Sequence, residues 1–270
     1  MEAVKKYGSF FRLRFAMGLQ YRAAALAGIV TQFAWGFLEI MVYWAFYEAE
    51  PQNFPMTFEA TTAYIWLQQA FLAFFVPWMV ENEIFDAILN GNVAYEMCRP
   101  VDMYWMWFSR SVANRFSRAT LRCFPILIVA AFLPAPYRMM GPVCLEDLFW
   151  FLVTVALGLL VMVAFCMLIY MLAFFTVSAQ GLRILFVSCV EFFSGAVIPL
   201  PFFPEGIRDV MELLPFAAMQ NVPLRIYGGN LYGEELRRAV ILQVFWLFVL
   251  ILLGKMLEWK AVKRIVLQGG

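Results

Sequence analysis

The sequence contains no histidine. That removes the commonest metal ligand and the side chain that most often acts as general base near neutral pH. Charged residues make up only 14% of the chain. No G-x-x-x-x-G-K-[ST] phosphate loop occurs, so the chain cannot itself hold ATP in that way, and neither G-x-G-x-x-G nor G-x-S-x-G is present. The five cysteines (Cys98, Cys123, Cys144, Cys166 and Cys189) are odd in number and scattered. They lack disulfide or zinc spacing and read as small hydrophobes. Long polar intervals are also missing: the longest, 81–104 and 204–235, are too short and too apolar to fold alone, so 1–270 reads as one domain. An active site within this chain is not expected.

What the sequence has in quantity is apolar surface, 64% of residues, with 18% aromatic. It falls into six stretches: 23–46, 62–80, 105–133, 148–177, 184–203 and 236–259. Crossing a hydrocarbon core of about 30 Å takes roughly 20 residues of helix. Barrel strands would be about 10 residues long with alternating character, so the runs point to an all-α, six-span membrane protein. The first run is too long for a signal peptide's apolar segment and no small-residue cleavage site comes after it, so it is expected to stay as a span.

Basic residues set the orientation, because Lys and Arg gather on the cytoplasmic side of short loops. Lys5, Lys6, Arg12, Arg14 and Arg22 precede the first span, and Arg99, Arg110, Arg115, Arg118 and Arg122 lie between the second span and the body of the third. Arg183 joins the fourth and fifth; Lys255, Lys260, Lys263 and Arg264 close the chain. The other side holds Arg138, Arg208, Arg225, Arg237 and Arg238 against ten acids, among them Glu48, Glu50, Glu146, Asp147, Glu234 and Glu235. Both ends are therefore expected on the cytoplasmic face of a multi-pass protein. The net charge of +1 says nothing about partners, since the two halves cancel across the membrane.

The most patterned polar interval is 81–100. Ile84, Phe85, Ile88 and Leu89 share one face of a short helix, with Glu81, Glu83, Asp86 and Asn90 around the rest. Gly91 stops that helix, because the residue after a helix end commonly takes φ > 0. A turn comes next, and Pro100 restarts the chain towards the membrane. Upstream, Val4, Tyr7, Phe11 and Phe15 form an apolar stripe with Lys5, Lys6 and Arg12 displaced from it, so 1–22 should lie in the cytoplasmic interface as an anchor.

At these residues the sequence resembles the permease subunits of ABC-2 type exporters. The likeness is carried by Gly91-Asn92-Val93 with Arg99-Pro100 after the short helix. It continues in the run 194–204 (SGAVIPLPFFP), then in Leu214-Pro215-Phe216 and Ile226-Tyr227-Gly228. Nearly the whole chain is covered, and it looks closest to small permeases that work as two different subunits beside one ATPase. The resemblance implies no cofactor in this chain, ATP and Mg in a separate cytoplasmic ABC ATPase, and a second permease, identical or homologous. It further implies export across the cell membrane and an N-terminal helix that touches the ATPase.

The same resemblance makes 81–100 the coupling segment. Phe85, Ile88 and Leu89 would pack into the ATPase after the turn at Gly91, while Asp86, Glu96 and Arg99 pair across the rim. The alternative, a helix lying on lipid headgroups, fits poorly because the helix is acidic and the inner leaflet is negative.

Charge within the hydrocarbon is expensive, and only Glu39 and Glu191 lie that deep. Gln32 shares a face with Glu39; Gln68 and Gln69 are in the second span; Ser194 stands three residues after Glu191. These six are candidates to line a pathway. The alternative is that the acids are structural, hydrogen-bonded between helices or neutralised by desolvation. Arg115, Arg118 and Arg122 form a stripe that is either a basic vestibule or a set of snorkelling side chains. The tryptophans read as an interfacial belt.

Outside, Pro199, Pro201 and Pro204 deny the fifth span a regular end, and Pro215 and Pro223 divide the stretch leading to the sixth. Two short helices are expected at 205–214 and 216–224. Ile207, Val210, Met211 and Leu214 would give the first an apolar packing face, and the resemblance makes 204–235 a re-entrant hairpin gating the exit.

Other classes stay open and are discriminable. An ion-coupled secondary transporter would need coupling-ion sites in broken helices and internal repeats, and no convincing repeat relates the halves. An integral membrane enzyme would need clustered acids or histidines at one interface. No basic tract suggests nucleic acid.

Overall fold

The structure, a computed structural model, describes residues 2–176 and 178–263, with side chains from residue 5 onward. The Val4 side chain, Val177 and Arg264 lie outside the described residues. The described chain is all helical, with no strand. In order the helices are α1 (Glu2–Gly18), α2 (Arg22–Ala49), α3 (Phe58–Ala70), α4 (Leu72–Phe75), α5 (Asn82–Leu89) and α6 (Val93–Met97). The second half holds α7 (Met103–Phe132), α8 (Leu145–Ala173), α9 (Ala179–Phe193), α10 (Glu205–Leu213), α11 (Asn221–Tyr227) and α12 (Gly233–Val262).

Among the described residues three helices, α2, α8 and α12, are long and apolar enough to cross a membrane. The other expected spans are modified, each by its own chemistry. The run at 62–80 is two helices: α3 starts earlier, breaks at Phe71, and α4 stops at Phe75 two residues before Pro77. The break at Phe71 has neither proline nor glycine behind it. The third is one unbroken helix, α7, but it carries Arg110, Arg115, Arg118 and Arg122. The run at 184–203 begins earlier and ends at Phe193, because Ser194 and Gly195 turn the chain before the prolines. With 15 residues, α9 is about 22 Å long, short of a hydrocarbon core.

Helix α8 is the centre of the bundle; α12, α11, α7 and α9 pack around it, α1 lies along α7, and α2 leans on α3 and α7. In lipid the hydrophobic effect does not bring helices together, so close packing and hydrogen bonds must. Gly158 of α8 shows the first: a Cβ there would meet the Met219 carbonyl oxygen at 2.4 Å, so only glycine lets the 217–220 segment approach. Gln243 of α12 shows the second, its Nε2 donating to the carbonyls of Thr154 (3.1 Å) and Ala218 (2.8 Å). On α2 the buried residues Gln32, Gly36, Ile40 and Tyr43 form one stripe. The remaining surface, with Leu26, Val30, Trp35, Leu38 and Phe46, is apolar and exposed, as on α12 at Ile241, Phe245 and Phe248. Apolar faces this extensive belong against lipid or a partner.

Arg115 takes neither of the two roles expected of the arginine stripe. It is buried, and its Nη1 donates to the carbonyls of Ala73 (2.9 Å) and Val76 (2.8 Å) while Nη2 reaches Met79 O (3.3 Å) and Cys166 Sγ (3.3 Å). These are orphan carbonyls at and beyond the end of α4, left unpaired when Pro77 stops the helix. Arg115 is thus a structural clamp. Arg118 is exposed and Arg122 half-buried.

Candidate functional site

The 81–100 segment folds as two short helices, where one and a turn were expected. Gly91 sits between them with φ +72°, the left-handed conformation that stops α5. Its inward side is fastened to three neighbouring helices. From α7, Arg110 pairs with Glu81 and Glu83, and Asn114 Nδ2 donates to Glu81 at 2.7 Å. From α8, the Tyr170 hydroxyl accepts the Glu81 backbone N–H at 2.7 Å, and its ring meets Phe85 edge-on with centroids 5.1 Å apart. From α9, Arg183 donates to Asn82 Oδ1 (3.1 Å) and to the Trp78 carbonyl (3.2 Å).

This fastening corrects two of the contact residues expected from the sequence. Phe85 is only 7% exposed, because its ring fills the space beside Tyr170. Glu96 accepts a hydrogen bond from the Trp107 indole N–H and so turns towards α7. Ile88 is half-buried against the core. Among the expected residues Leu89, 58% exposed, with Asp86 and Arg99, faces outward. The structure adds Tyr95, 77% exposed, and Met97. The sequence pattern does not single out these two, because Gly91 ends the amphipathic helix; the apolar-aromatic run after it, with buried Val93, is the available signal.

Nearby, Asp102 caps α7 by accepting from the Trp105 N–H (3.1 Å) and pairs with Lys255 of α12 (2.7 Å), while its own N–H donates to the Tyr7 hydroxyl of α1 (3.1 Å). The ends of α1, α7 and α12 are therefore joined beside α6.

The six pathway candidates separate. Glu39 accepts from Gln69 Nε2 at 3.3 Å and lines a cavity of about 490 Å³ between α2 and the turn after α9, with Trp35, Val42, Val197, Ile198 and Phe202. Gln68 is a correction: it is buried, donates to the Ala196 carbonyl (2.9 Å) and accepts from Gln220 Nε2 (3.0 Å). With Tyr64, whose hydroxyl donates to Gly195 O at 3.1 Å, it ties α3 to that turn. Gln32 is buried with both amide atoms unpartnered and is not part of the Glu39 cavity. Ser194 is buried with its hydroxyl unpartnered, and half-buried Glu191 makes no hydrogen bond or ion pair among the described residues. Neither meets Glu39.

In the hairpin region α10 forms nearly as expected, but the second helix, α11, begins five residues later than 216, after turns through 215–220. Met211 packs with Leu200, Ala217, Phe193 and Phe203, and Pro199 and Pro201 are buried beneath. Ile207 and Val210, 54% and 60% exposed, do not pack on the spans, which corrects the expected apolar face. α10 is held by Met211 from that face and by polar contacts: Arg225 of α11 pairs with Glu212, and Trp246 Nε1 of α12 donates to the Leu213 carbonyl at 2.9 Å.

A helical bundle with long apolar spans, a doubled, internally fastened loop helix and a short hairpin between α9 and α12 is that of a polytopic membrane protein. Residues 30–269 match the family model of the ABC-2 family transporter proteins, and the chain belongs to that family. The match starts within α2, so α1 lies outside it. Among curated proteins none matches.

Proposed function

We propose that the chain is the permease subunit of an ATP-driven exporter, contributing half of the substrate pathway and coupling it to a separate cytoplasmic ATPase that binds ATP and Mg. A second permease, identical or homologous, would complete the pathway. Six passages through the cell membrane, α2, α3–α4, α7, α8, α9 extended by the turn after it, and α12, put both ends of the chain and the α5–α6 loop on one side, which the basic residues make the cytoplasm.

One observation carries the reading. The α5–α6 unit is bound on its inner side to α7, α8 and α9, while its outer side presents Leu89, Tyr95 and Met97 flanked by Asp86 and Arg99. A lever needs that arrangement: a rigid attachment to the parts that move, and an apolar, charge-flanked face for the part that drives. A push on this face reaches three spans without first bending the loop. Of the candidate pathway groups, Glu39 with Gln69 is best placed, at a cavity facing away from the bundle where a second permease would stand.

The test is the intact mass of the complex purified from its host membrane. The reading requires nucleotide-binding subunits and two permease chains per particle. A particle containing this chain alone, active in transport, would contradict it.

A further inference from the structure

A cavity of about 550 Å³ opens at the elbow where interfacial α1 turns into α2, walled by the elbow, the start of α5 and one face of α7. Its charges do not balance. Arg110 is taken up by Glu81 and Glu83, and Arg115 spends its donors on carbonyls and a thiol. Arg14, Arg118 and Arg122 also line the cavity, and no acid stands within ion-pair distance of them among the described residues.

Two buried donors point to a missing acceptor. The Ser111 side chain is 4% exposed and its hydroxyl has no partner; Arg122 Nε is likewise buried and unpartnered. Ser111, Arg118 and Arg122 stand at i, i+7 and i+11 on one face of α7, so their donors line one wall of the cavity over about 16 Å, and Arg122 Nη2 reaches across to the Ala24 carbonyl (3.5 Å). Buried donors without partners are costly, and guanidinium groups beside a hydroxyl match the several acceptor oxygens of a phosphate. Met17, Tyr21 and Leu121 make part of the wall apolar. A free anion has no use for that surface, whereas a lipid's glycerol and first acyl carbons do. The elbow is also where the chain passes from the interface into the bilayer, the depth of headgroups.

We infer that this cavity binds an anionic phospholipid from the cytoplasmic leaflet, its headgroup, phosphate and ester oxygens spread along the Ser111 hydroxyl, Arg118 and Arg122 with Arg14 at the rim. Only the choice of leaflet rests on the proposed orientation. A lipid held here contacts α1, α2, α5 and α7 at once, and so bears on the loop that the ATPase is proposed to drive.

The full chain, purified in neutral detergent, is mixed with equal amounts of phosphatidylglycerol and phosphatidylcholine, and retained lipid is counted by native mass spectrometry. Micelles have no sides, so the result does not depend on orientation. The wild type should favour phosphatidylglycerol by at least about fivefold, the effect of one arginine near an anionic surface. R14E/R118E, confined to side chains that are not fully buried, and R122Q should each bring the ratio near one, while R208Q on the outer side should leave it unchanged. Equal retention in the wild type, or a preference that all these variants keep, overturns the proposal. Inorganic phosphate is the second arm: if it raises the melting temperature in an Arg118-dependent way while the two lipids are retained equally, the site holds a soluble anion and the lipid assignment is wrong.

Discussion

Arg110 of α7 pairs with Glu81 at the head of α5, and both side chains are largely buried. The pair converts a surface loop into an extension of a membrane helix. Truncating one partner leaves the other charge desolvated. E81Q or R110Q should therefore lower the stability of the purified chain by about 1.5–3 kcal/mol, the range for a hydrogen bond to a charged group. Glu83 shares Arg110, so R110Q should cost more than E81Q. Thermal unfolding followed by tryptophan fluorescence checks the order. Equal melting temperatures for both variants and the wild type would mean the pair does not hold α5.

Tyr170 gives a more local prediction. Y170F keeps the ring against Phe85 but removes the acceptor for the Glu81 N–H. Amide exchange across 82–89 should quicken while exchange within α8 stays as it was, because the lost bond belongs to the loop. Unchanged exchange in 82–89 would show that this contact is dispensable.

Arg115 should tolerate no conservative replacement. Its guanidinium reaches separate carbonyls at once, and a lysine has one nitrogen on a flexible stem. R115K should destabilise the protein by about 1–3 kcal/mol for each buried acceptor left unpaired. R118K, at an exposed position, should be nearly neutral. A melting temperature for R115K equal to that of R118K would sink the clamp.

Native cysteines report the orientation. Cys98 beside α6 and Cys144 at the start of α8 are both exposed. In sealed cells a membrane-impermeant thiol reagent should label Cys144 and spare Cys98, with C144S abolishing the signal. Labelling that survives C144S and disappears with C98S would invert the topology argued from the arginines and lysines.

The long elements were legible because lipid imposes one solution, and α2, α7, α8 and α12 begin and end within a few residues of the apolar runs. The interrupted spans were not. Composition locates an apolar run but says nothing of where its hydrogen-bond ladder stops, and at Phe71 no residue type marks the place. The site was legible at Leu89, whose helical face and exposure agree. It misled at Phe85, because an apolar residue on an amphipathic face packs either against its own protein or against another, and only the position of Tyr170 decides which. Ile207 and Val210 show the converse error, an apolar stripe that finds no cover within the chain. Glu96 was hidden for a related reason: its partner Trp107 lies one helix away, and a sequence records no such meeting.

The most direct test of the coupling role places a photo-crosslinking residue at Tyr95 and, as a control, at Tyr232 on the outer side, in cells making the full complex. The account predicts an adduct from position 95 to the subunit carrying the phosphate-loop motif, lost when L89D is added, and none from position 232. No adduct at 95, or one that L89D leaves intact, would show that the ATPase docks elsewhere on this chain.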